Sequence, residues 1–172
     1  RNRRALVLLV IVAPLFYLFV IQGVRFFEVP SHSMVPGLVV GDRLVTVRAA
    51  GYHRGDIIVF DDKKNHEYLV KRIVGVAGDT LNVNTGALYI NGEFASEPYI
   101  AEPMAYDFEH PVTLKEGEVF VLGDNRNWSD DSHVDLLPTP VDNIVGKVVY
   151  RYYPFDRMGP ITSYPLSNVN GK

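Results

Sequence analysis

The sequence predicts an all-β protein, a coiled antiparallel sheet with a barrel-like body, carried behind one N-terminal transmembrane helix. Three observations lead there. The run from Ala5 to Val24 (ALVLLVIVAPLFYLFVIQGV) holds no charged residue. Beyond it, β-branched and aromatic runs recur at short intervals, and Gly-Asp pairs at 41–42, 55–56, 78–79 and 123–124 sit beside them, the chemistry of strands and turns. No stretch after residue 28 shows the three- and four-residue apolar spacing of an amphipathic helix. A length of 172 residues suits one domain plus an appendage. The expected parts are an anchor over 5–24, a β body over 25–153 and a loop-like tail over 154–172.

The anchor comes first in the chain. At 1.5 Å per residue, a helix over 5–24 covers about 30 Å, the thickness of a bilayer core. It is apolar on every face, where a helix packed on one side would alternate, and Pro14 is tolerable inside a membrane. A cleavable leader would have a shorter apolar stretch ending in small residues. Here Arg25-Phe26-Phe27-Glu28 follows, which favours an uncleaved anchor. Arg1, Arg3 and Arg4 precede the span and only Arg25 closely follows it. The positive-inside rule then puts the N-terminus in the cytoplasm and the body outside.

The strands follow in order. Arg43–Arg48, Asp56–Phe60, Glu67–Ala77, Glu118–Leu122 and Ile144–Tyr153 are the principal runs. Thr80–Asn84 and Ala87–Asn91 flank Thr85-Gly86, a hairpin signal. Residues 95–111 lack a strand pattern and suggest a long excursion or lid.

Composition narrows the chemistry. Hydrophobic residues make up 47 % of the chain and aromatics 12 %, enough for a core of strands. The net charge of −3 gives no basic face for nucleic acid. Cysteine is absent, which excludes a disulfide framework, a Cys nucleophile and Cys-ligated zinc. His66-Glu67 has no second His at zinc-protease spacing, and no phosphate loop or dinucleotide fingerprint appears. No metal or cofactor is expected.

Three segments can carry chemistry. Val29–Leu38 (VPSHSMVPGL) sets Ser31 and Ser33 between Pro30 and Pro36. Proline fixes φ and removes a donor, so the stretch resists strand or helix and can present a hydroxyl. It also fits a plain linker leaving a membrane. Lys71 lies in a strand where Leu69, Lys71 and Ile73 share one face and Val70, Arg72 and Val74 the other. One cation of the Lys71–Arg72 pair must then sit among apolar neighbours. Lys suits burial better, because it can lose its proton. A desolvated lysine has a lowered pKa and can act as a base. The same residue also fits a snorkelling edge lysine. Gly123–His133 (GDNRNWSDDSH) places polar residues directly after a hydrophobic strand and also fits an ordinary polar loop. His32 is expected to be exposed and to point away from Ser33.

Together these segments resemble type I signal peptidases, the Ser/Lys enzymes that remove secretory signal peptides. Residues 30–36 (PSHSMVP) look like the nucleophile box. Residues 54–60 (RGDIIVF) look like the strand box that follows, residues 71–79 (KRIVGVAGD) like the lysine box, and residues 123–132 (GDNRNWSDDS) like the last box. Departures from the family pattern fall at Gly37, Ala77, Trp128 and His133, outside the dyad.

The resemblance implies roles. Ser33 would be the nucleophile and neutral Lys71 the general base. The Ser33 backbone N–H and the Ser31 hydroxyl would form the oxyanion hole. Ser129 would orient the Lys71 amine, and Asp131 would brace the loop. Val29, Pro30, Met34, Leu38, Leu69 and Val70 would shape shallow pockets for small side chains before the cut. The implied partners are signal peptides of exported preproteins and membrane lipid, at a plasma (inner) membrane. A dedicated Ser/Lys processing peptidase and a non-catalytic membrane-tethered β module stand as alternatives. Only nine residues separate Val24 from Ser33, at most about 30 Å of chain, so a site at Ser33 would lie close to the bilayer.

Overall fold

The structure is a computed structural model and describes residues 10, 12–17, 23–134 and 137–166. Most of the expected anchor lies outside the described residues. Within it, residues 10 and 12–17 are helical, and Val10, Val12, Leu15, Phe16 and Tyr17 are exposed instead of packed on the body. Among the described residues no helix is long and apolar enough to cross a membrane.

The rest is β, with short 3-10 turns at Arg126–Trp128, Val141–Asn143 and Phe155–Arg157. Twelve strands follow in chain order: β1 Arg25–Glu28, β2 Arg43–Val47, β3 Ile57–Asp62, β4 Glu67–Gly75, β5 Thr80–Asn84, β6 Ala87–Ile90, β7 Glu93–Phe94, β8 Val112–Thr113, β9 Glu118–Leu122, β10 Thr139–Pro140, β11 Ile144–Tyr153 and β12 Gly159–Pro160. The larger sheet runs β1-β2-β11-β3-β4-β9-β10, with β12 on β11, and the smaller runs β7-β6-β5-β8. Every pairing is antiparallel. The order of the large sheet is linear, with β1 and β10 at its two ends, so the barrel-like expectation gives way to an open sheet.

The five principal runs all form strands, and β9 and β11 match their expected limits. The hairpin turns at Thr85 (φ 50°) and Gly86 (φ 72°). Two successive positive φ values define the type I′ turn, whose twist matches the strands it joins. Apolar residues from both sheets meet in one cluster that includes Val74, Leu81, Leu88, Phe120 and Leu122. A second cluster joins Val29, Met34, Leu38 and Leu44 to Ile57, Val59, Val70 and Val148. A third covers the opposite face of β3 and β4 with Ile58, Phe60, Ile73, Val119 and Val121.

Two expectations change. Residues 95–111 are a packed strap: Ala95, Tyr99, Met104 and Phe108 are buried in the first cluster. The segment after Pro154 is not loose as far as residue 166. Its β12 pairs with β11, the Ser163 hydroxyl donates to Asp56 at 2.8 Å, and Leu166 is buried. Apolar residues spaced irregularly through Pro-rich chain gave neither segment a periodic signal.

Candidate active site

The loop after β1 is held at both ends before it presents anything. The Val29 N–H donates to the Asp42 carbonyl at 2.8 Å and the Leu38 N–H to Met34 at 2.9 Å. Met34 and Leu38 are wholly buried, so the loop is plugged into the core on either side of Pro36. Ser33, directly before Met34, is only 8 % exposed, while Ser31 and His32 face solvent. The Ser31 hydroxyl donates to Ser33 Oγ at 3.2 Å.

β4 supplies Lys71, which is 2 % exposed and stands opposite Ile58 on β3. Burial drives its amine below the ordinary lysine range, and Asp131, Asp130 and Glu67 pull weakly the other way. Among the described residues no hydrogen bond engages its Nζ, which leaves the amine without a competing partner. Hydrogen bonds between catalytic groups are often loose in an unliganded enzyme.

The sequence expected only one of the two cations to be buried; both are. Arg72 is 1 % exposed and forms a bidentate pair with Asp124 at 2.8 and 2.7 Å. It also donates to the Gly55 carbonyl at 2.8 Å and lies 4.1 Å from the centre of the Tyr99 ring. Arg cannot shed its proton, so burial is tolerable only with such partners. Asp124 carried a visible signal in the Gly-Asp pair, but its partner did not.

The loop after β9 joins these two parts. The Asn125 N–H donates to the Ser33 carbonyl at 3.0 Å, and its side-chain amide to the His32 carbonyl at 3.1 Å. Gly123 has no room for a side chain: a Cβ there would collide with the Ser129 side chain and the Ser33 carbonyl. That contact sets Ser129 beside the Ser33 backbone. The Ser129 hydroxyl makes a short hydrogen bond to Asp131. Asp131 also accepts from the Gly123 N–H at 2.8 Å, the His133 N–H at 3.2 Å and the His133 ring at 2.7 Å. Burial alone would raise its carboxyl; the hydrogen bonds from His133, Ser129 and Gly123 outweigh that and hold it below the usual range.

The strap grips the same loop. Glu97 takes both Arg126 guanidinium nitrogens at 2.6 and 2.5 Å. Asn127 accepts from Ala105 at 2.7 Å and donates to Glu102 at 2.8 Å. Sequence reasoning found none of these anchors, because residues 95–111 offered no periodic pattern to place them.

The structure therefore brings Ser31, Ser33, Ser129 and Asp131 into one hydrogen-bonded region, with Lys71 within Asp131's field. Of the six residues expected to shape substrate pockets, Val29, Met34, Leu38 and Val70 are core residues; only Pro30 and Leu69 keep accessible surface. No group of three or more His, Cys, Asp or Glu residues able to hold a metal occurs among the described residues.

Residues 2–153 match the signal peptidase family, peptidase S26. This chain belongs to that family. A signal peptidase is, by class, a serine endopeptidase. The chain is 38 % identical over 144 residues to probable signal peptidase I-2 of Synechocystis sp., covering 78 % of this signal peptidase and 65 % of that relative. It is 38 % identical to probable signal peptidase I-1 of the same organism, over 92 % of this chain and 85 % of the relative. Signal peptidase I U of Bacillus subtilis is 34 % identical, over 92 % of each chain.

Proposed function

We propose that this signal peptidase is a membrane-bound endopeptidase that removes signal peptides from exported preproteins after small residues, using Ser33 and Lys71. The observation that carries the reading is Lys71: a buried lysine with a lowered pKa, on the strand next to a loop that hydrogen-bonds the backbone of Ser33. The neutral amine takes the Ser33 proton as the hydroxyl attacks the scissile carbonyl. The resulting Lys71 ammonium gives that proton to the leaving amine as the C–N bond breaks, and water, deprotonated by Lys71, then hydrolyses the acyl-enzyme. The Ser33 N–H and the Ser31 hydroxyl stabilise the developing oxyanion, so the Ser31 hydroxyl must turn from Ser33 Oγ toward that oxygen. Ser129, its proton committed to Asp131, offers a lone pair that orients the Lys71 amine. Val29, Met34, Leu38 and Val70 form the floor beneath the substrate, and Pro30 and Leu69 touch it. A floor that is already filled by packed side chains suits Ala or Gly better than larger residues.

The exposed apolar face of residues 10 and 12–17 supports an anchor over 5–24. That places the body at the outer surface of a plasma (inner) membrane, with the N-terminus in the cytoplasm. Ser33→Ala and Lys71→Ala should each lower cleavage of an Ala-x-Ala preprotein by at least about 10³-fold, with melting temperature retained. Normal processing by either variant would refute the dyad.

A further inference from the structure

Among the described residues His133 is the one titratable side chain that bonds Asp131 directly, and the mechanism above gives it no task. Its ring lies 2.7 Å from Asp131 Oδ1 and stacks on Tyr106 with centroids 4.3 Å apart and planes at 11°. Its side chain is 19 % exposed, and the stack and the bond to Asp131 fix its position. Asp131 in turn holds Ser129 and is the foremost charge acting on Lys71 after burial.

We propose that His133 is a positioning residue for this reaction: through Asp131 it sets how much negative charge the catalytic lysine feels. The inference rests on the Ser33/Lys71 reading. The sign follows from the charges. An imidazolium at 133 offsets the Asp131 carboxylate, so the neutral Lys71 amine is favoured. A neutral imidazole leaves the carboxylate uncompensated, and the ammonium is favoured. Positive charge at 133 therefore softens the loss of activity as pH falls, by way of Asp131.

The neighbours of His133 are the same in every variant compared. Tyr106 stacks on it, and Asp107, Glu109 and His110 line the cleft of about 350 Å³ that it borders. Asp130 adjoins the brace and acts on Lys71 independently. A permanent cation and a neutral hydrogen-bond donor at 133 therefore isolate the role of its charge. Arg stacks on aromatic faces as His does, and Gln retains a donor for Asp131 without charge.

The test is kcat/KM against pH for the full chain and its His133→Arg and His133→Gln variants, on a preprotein with an Ala-x-Ala site. On the acid limb the order should be Arg above His above Gln, with roughly three- to tenfold between the extremes. The three should converge on the alkaline plateau with KM unchanged. Should the Arg variant fail to fold, the Gln variant decides alone: its acid limb should fall below the wild type's. Superimposed profiles, with Ser33→Ala and Lys71→Ala inactive, would overturn the role of His133 and leave the dyad standing. Activity persisting in Lys71→Ala would overturn the dyad itself.

Discussion

Lys71 shows how far a single residue can be read from sequence. Strand alternation put Lys71 and Arg72 on opposite faces and demanded that one of them be buried. It could not foresee that Arg72 would be buried as well, because the compensation comes from Asp124, 52 residues away, and from Tyr99 in the strap. Burial of the two cations has different consequences. Arg72 is paired with Asp124 and with the Gly55 carbonyl. Among the described residues no hydrogen bond engages Lys71, and burial lowers its pKa. A group whose folded pKa lies below its unfolded value binds fewer protons when folded, so its cost is full below the folded pKa and fades as pH rises toward the unfolded value near 10.4. Lys71→Met should therefore be inactive yet more stable than the wild type at pH 7, with the gap closing toward pH 10. Urea denaturation at both pH values checks this; a variant less stable at pH 7 would contradict it.

Among the elements, the long strands and the Thr85-Gly86 hairpin were legible because periodicity and turn chemistry are local. The strap, the tail and the four short strands β1, β7, β8 and β10 were not. Their order comes from what they pack against, and four residues or fewer cannot display a period. Gly55 marks how tightly the tail is seated. Its φ is +87°, and a Cβ there would drive into the Tyr164 backbone. The Tyr164 ring lies tilted against Tyr99, with centroids 5.5 Å apart, and Tyr99 lies against Arg72. Gly55→Ala carries a left-handed penalty of about 1–2 kcal/mol and must also displace the tail. It should lower the melting temperature by at least several degrees in a calorimetric scan and weaken activity through Arg72. An unchanged melting temperature would mean that the tail does not stabilise the body.

At the scale of the whole molecule, two sheets share one apolar cluster, and the loop bearing Ser33 follows β1, close in sequence to the predicted anchor. Anchor and preprotein would share a surface, which raises their effective concentration without any added contact. A chain lacking residues 1–22 should cut a short water-soluble peptide with unchanged kcat/KM. It should process a membrane-inserted preprotein at least about tenfold more slowly than the full chain, a difference measured in vesicles. Equal rates on both substrates would remove any role for the anchor in substrate encounter. The sheet order has a separate consequence, for the protein's own birth. β11 is the last long strand made, yet it lies between β2 and β3, near the middle of the large sheet. Until residue 153 has been synthesised, β2 and β3 have no partner between them, and the loop bearing Ser33 lacks part of the core beneath it. An emerging chain is thus incomplete by topology alone, and cleavage should begin only once residue 153 has been made.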